Sequence, residues 1–148
     1  MKFSATALLT AVLASTAAAA PATSEVKSMS TAATWTITDF KRVCNEADTS
    51  CDWSFGIKDA DKITKCAYTV KKTGDAPASR TSQTGVACGA YSVTSAWSGQ
   101  FGEGQGFTTL SVVDYAAKTI AWPAYTDNQL AAGTVVKPDQ SYPVQALP

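Results

Sequence analysis

The chain carries four cysteines, twelve carboxylates and no histidine. Without an imidazole, neither a Ser-His-Asp nor a Cys-His nucleophile can be activated. Histidine-based zinc catalysis and ribonuclease chemistry fall away for the same reason. Carboxylate pairs, tyrosine and lysine remain as acid/base groups. The carboxylates are Glu25, Glu46 and Glu103 beside nine Asp. Glycoside hydrolysis needs two of them about 5–10 Å apart across a cleft, and no pair is marked out by spacing. Solvated turn positions are their plainer role. The sequence therefore predicts a non-enzyme, with no catalytic residue, no cofactor and no metal.

The cysteines are Cys44, Cys51, Cys66 and Cys88. They contain no C-x-x-C pair and have no histidine beside them, so a zinc site is disfavoured. An even count implies disulfides, and four cysteines allow three pairings. Local proximity favours Cys44–Cys51 with Cys66–Cys88; loop entropy alone does not choose among the three.

Binding chemistry has three candidate places. The loop between Cys44 and Cys51 carries Glu46 and Asp48, a possible contact for a basic partner. The plainer reading is a stapled hairpin end. The segment from Gly99 to Gly106 has glycines at 99, 102, 104 and 106. It lacks the Lys-Ser or Lys-Thr of a P-loop and the helix-opening spacing of a dinucleotide fingerprint. Trp97 and Phe101 border it and Glu103 lies within it, so an exposed recognition cluster is expected there. Trp122 and Tyr125 flank Pro123 and form the third candidate. Exposed Trp and Tyr on a β scaffold suit a sugar-binding or protein-binding face. Trp35, Trp53 and Phe55 fall on core-directed positions instead.

Elements that could position these residues follow from period-two patterning. Trp35 and Ile37 alternate with threonines, and Phe40 follows. Trp53, Phe55 and Ile57 alternate with polar residues, as do Cys66, Tyr68 and Val70. Tyr91, Val93, Ser95 and Trp97 form a fourth series; residues 107–113 and 119–122 form two more. Alternation with β-branched and aromatic enrichment predicts strands. Residues 59–62 and 114–118 read as turns, and 73–85 as a long loop. One helical turn is expected at 127–132, with Asp127 as N-cap and Gly133 as stop. The tail beyond Lys137 carries three prolines and is expected to lie extended on the surface. The fold class is all-β, an antiparallel β-barrel or β-sandwich with two disulfides.

The N-terminus sets the compartment. Lys2, an apolar run through Leu13 and the small residues around Ala20 make residues 1–20 a secretory signal peptide. Cleavage is expected between Ala18 and Ala22. The apolar run is shorter than the roughly 20 residues a spanning helix needs. Residues 21–32 are rich in Ala, Ser and Thr and are expected to be a flexible segment. Residues 33–148 then form a single β domain. Without Lys2 the balance is 11 basic to 12 acidic residues. No basic run appears in the sequence, so neither nucleic acid nor membrane insertion is expected.

Trp35-x-Ile37-x-x-Phe40, residues 43–57, 92–114 and 121–147 together resemble a family of small secreted fungal proteins. These are the hypersensitive-response-inducing elicitors of plant pathogens such as the rice-blast fungus. The opening motif is similar, more loosely, to the Alternaria major-allergen family, which has a β-barrel fold and an additional cysteine that links dimers. The even cysteine count here predicts a monomer. The resemblance implies an apoplastic effector that plants perceive, with defence responses and local cell death. The implied partner is a plant extracellular or plasma-membrane protein. A carbohydrate-binding or cell-wall-associated module is the alternative, with a cell-wall glycan as ligand.

Overall fold

Trp35 and Ile37 point one way from the first strand and Thr36 and Thr38 the other, and the same rule builds most of the molecule. A computed structural model describes residues 33–148; the expected signal peptide and flexible segment lie outside the described residues. Ten strands and one helical turn follow in order. They are β1 (Thr34–Cys44), β2 (Ser50–Asp59), β3 (Lys62–Lys71), β4 (Gln83–Cys88), β5 (Tyr91–Ser98), β6 (Phe107–Asp114), β7 (Thr119–Ala121), β8 (Ala124–Thr126), α1 (Asp127–Leu130), β9 (Gln140–Pro143) and β10 (Gln145–Ala146). A single 3-10 turn, Ala78–Arg80, lies between β3 and β4.

The strands form two antiparallel sheets. One has the order β3-β2-β1-β9; the other runs β10-β7-β6-β5-β4, with β8 also on β6. Strands β3 and β4 lie at the sheet edges and do not pair, so no barrel closes; of the two expected architectures the sandwich holds. The core lies between the layers. Trp53, Ile37 and Ile57 from the first sheet meet Val93, Leu110 and Val112 from the second, all almost fully buried. Phe40 stacks on Tyr125 with ring centroids 3.9 Å apart.

A bulge sets which residues of β1 enter that core. Pairing of β1 with β2 shifts register between Thr38 and Lys41, and Asp39 there has φ 50°. The extra residue resets the alternation. Phe40 and Arg42 therefore face inward, and Lys41 and Val43 outward.

Both favoured disulfides are present. Cys44 and Cys51 are register partners and close the end of the β1–β2 hairpin. Cys66 on β3 and Cys88 on β4 join the two sheets at their unpaired edges.

The helical turn arrives one residue off expectation. Thr126 is the N-cap: its hydroxyl accepts from Gln129 N–H, and Gln129 reaches back to the Thr126 N–H in a capping box. Asp127 is left free for another role. The C-terminal tail is more than a surface strand. Its β9 extends the first sheet and its β10 the second, with only Val144 between them.

Candidate recognition surface

The glycine segment leaves β5 at Ser98 and returns as β6 at Phe107. Its stem is clamped from one side. Asp127 N–H donates to Gly106 O at 2.9 Å, and the Trp97 indole Nε1 donates to Asp127 Oδ2 at 2.9 Å. The fit is close: a Cβ at Gly106 would collide with Asp127 Oδ2 and lie 2.9 Å from Trp97 Nε1. Gly102 and Gly104 have φ of +100° and +74°, a region only glycine enters without strain.

Arg80 completes the arrangement. Its guanidinium lies over the Trp97 ring, 4.9 Å from the centroid. The 3-10 turn that carries Arg80 is pinned to the bridged loop. Asp48 Oδ1 accepts from Ser79 N–H at 2.8 Å, its Oδ2 accepts from the Ser79 hydroxyl, and its carbonyl accepts from Ala78 N–H. A groove of about 490 Å³ results, lined by Arg80, Trp97, Glu103, Asp127 and Asn128 beside the glycine backbone.

The opposite side of the segment is apolar. Phe101 is 68 % exposed and stacks on Phe107 at 5.6 Å. A hollow of about 300 Å³ lies there, bounded also by Ala124 and Tyr125. The segment thus parts the residues that the sequence grouped. Trp97 and Glu103 line the polar groove, whereas Phe101 belongs to the apolar side.

Two expected exposures are corrected. Tyr125 is only 2 % exposed, not part of an exposed cluster. Trp122 and Tyr125 are an odd number of residues apart in extended backbone, so the pleat sends them to opposite faces. Trp122 alone is exposed. Burial drives the Tyr125 hydroxyl well above the usual tyrosine range. Asp48 is the second correction: its carboxylate is spent on Ser79, and of the two acids in that loop Glu46 is the one turned to solvent.

Sequence reasoning missed Arg42. Strict alternation from Trp35 puts it outside, and the bulge at Asp39 brings it in. Its side chain is 7 % exposed, with Nη1 donating to Ser79 O at 3.1 Å and lying 3.8 Å from Asp127 Oδ1. The guanidinium also sits over the Trp53 ring at 5.7 Å. Burial lowers its pKa, and Asp127 and then Asp48 oppose that. Asp127 therefore serves Trp97 with one oxygen and Arg42 with the other. A carboxylate so engaged is poorly placed to act as a general acid or base beside Glu103. Among the described residues, Cys44, Asp48 and Cys51 come close enough to resemble a metal site, but both sulfurs are committed to the disulfide.

Comparison with known proteins bears on this geometry. The model of the family described as Effector TSP1 matches residues 36–147. The chain belongs to the Effector TSP1 family. It is 48 % identical to Effector TSP1 of Hypocrea virens (strain Gv29-8 / FGSC 10586), over 100 % of both chains. The fungal effector class expected from the sequence is thereby supported. Two disulfides in such a protein fit an oxidising, extracellular setting.

Proposed function

We propose that this protein is a secreted, non-enzymatic effector that plants perceive, and that perception induces defence responses and hypersensitive cell death. The observation that carries the reading is the glycine segment, held rigidly at its stem by Trp97 and Asp127 while Phe101 and Glu103 face solvent on its two sides. A fixed stem with an exposed aromatic and a charge beside it suits recognition of a protein. The partner is a plant extracellular or plasma-membrane protein, met by a monomer. The carbohydrate-binding alternative loses support at Trp97, because Arg80 already covers one ring face. Trp122, half exposed, remains a platform for it.

Infiltration of leaves tests the proposal. Folded protein should cause local cell death, and reduced, alkylated protein should not. Phe101→Ala with Glu103→Ala should weaken the response about tenfold or more, as loss of a central anchor does, with the unfolding midpoint unchanged. A response from the reduced chain equal to that of the folded one would sink the surface reading. Binding to chitin or glucan that disappears in Trp122→Ala would favour the alternative.

A further inference from the structure

The outward face of the first sheet carries a charge pattern hidden in the linear sequence. Inward positions of β1, β2 and β3 are fixed by burial of Trp35, Phe40, Trp53, Ile57, Cys66 and Val70. Alternate residues must point to solvent. Those positions hold four lysines, Lys41, Lys58, Lys65 and Lys71. They hold Asp52, which accepts from Thr69 Oγ1 at 2.6 Å, and the bulge adds Asp39, ion-paired with Lys137 at 2.8 Å. A chain with balanced charge overall thus presents a face with four lysines against two carboxylates, net +2.

The middle of this face is flat. Lys65 pairs with Gly56, which pairs with Thr38; Lys41 pairs with Ser54, which pairs with Ala67. No large side chain rises among them. A shallow depression of about 200 Å³ lies there, edged by Lys65, Thr38, Asp39, Ser54 and Ala67. Gly56 is required: a Cβ would collide with Thr38 Oγ1 and lie 2.8 Å from Ile63 Cγ2. Thr36 and Ser141 add hydroxyls from the next strands, bonded to each other at 2.7 Å.

We propose that this face binds a linear polyuronate, a polysaccharide with a carboxylate on each sugar. Lysines on all three strands offer partners to several carboxylates, and interleaved Ser and Thr hydroxyls match the hydroxyls of a hydrated sugar chain. Other polyanions fit less well. The face has no arginine to grip phosphate bidentately and no aromatic ring on which a nucleic-acid base could stack. Its two exposed aliphatic residues, Ile63 and Val43, stand at opposite ends and form no wedge for a lipid surface. The site lies on a different sheet from the glycine segment and does not depend on perception by a host.

Affinity electrophoresis of the secreted chain through polygalacturonate tests this. Retardation is expected at low ionic strength, with loss at high salt as screening shortens to a few Å, and none in fully methyl-esterified polymer. Lys58→Gln, Lys65→Gln and Lys41→Gln should each weaken binding about fivefold, the usual effect of one lysine near an anionic surface. Lys118→Gln, on the β6–β7 turn, should leave it unchanged, and all four variants should unfold at the parent's midpoint. Equal retardation in the methyl ester would overturn the proposal. So would indifference to the three face lysines, or binding to phosphatidylserine vesicles without binding to polygalacturonate.

Discussion

Trp97 and Asp127 meet across thirty residues of sequence, indole Nε1 to carboxylate Oδ2 at 2.9 Å. The bond ties the end of β5 to the first residue of α1. The other oxygen of Asp127 faces Arg42 at 3.8 Å. One carboxylate therefore couples the exposed groove to a guanidinium inside the sandwich.

Asp127→Ala should be costly. Breaking a buried charge pair from one side costs about 3–5 kcal/mol. The Asp127 side chain is 30 % exposed, and solvent there reduces the expected loss to about 2 kcal/mol. Asp127→Asn keeps an acceptor for Trp97 and should lose less. Urea unfolding with tryptophan fluorescence checks both; an unchanged midpoint for the alanine variant would refute the coupling.

The glycines of the segment should not be equivalent. Gly106→Ala drives a methyl group into Asp127 and Trp97, and overpacking of this kind costs about 1–3 kcal/mol. Gly104→Ala meets nothing within 4 Å and suffers only the left-handed backbone penalty of about 1 kcal/mol. Only the Gly106 variant should also shift Trp97 emission. Equal losses with no spectral difference would mean that the stem is not tightly clamped.

Alkali should reveal Tyr68. Its ring stacks on Trp53 at 5.7 Å, and its hydroxyl oxygen is buried without a partner. Burial pushes its pKa up to about 12, opposed by the neighbouring Ser95 hydroxyl, against about 10 in an unfolded chain. The raised value means that this contribution to stability is intact below pH about 10. Between about 10 and 12 the unfolded chain loses the proton first, and about 2 kcal/mol is lost. Phenolate absorbance against pH, alongside unfolding at each pH, checks this. Ionisation of every tyrosine near 10 in the folded state would contradict it.

Strands with unbroken alternation were legible from sequence, as were both disulfides. The others were hidden for physical reasons. In β4, Gly85 at φ +66° sits within a register shift between Gln83 and Val86, so the period breaks. The strands β8, β9 and β10 are two to four residues long, too short to show a period. The prolines of the tail are tolerated because it pairs only at sheet edges. At the candidate surface, residue types pointed to the right segment, but the glycine turn divided Trp97 from Phe101 and the pleat divided Trp122 from Tyr125. The lysine face was invisible for the opposite reason. Asp59 and Asp61 alternate with Lys58 and Lys62 along the chain, so the sequence reads as mixed charge. The β2–β3 hairpin keeps those acids at its tip while Lys58 and Lys65 face outward.

The single residue between β9 and β10 makes the last nine residues a seam shared by both layers. Val144 N–H donates to Ala33 O on one side of that seam, and Leu147 N–H donates to Lys118 O on the other. Loss of β10 would free the edge of one layer, and loss of β9 the edge of its neighbour. Exposed edges invite pairing with other chains. The seam formed by β9 and β10 thus shields two edges at once.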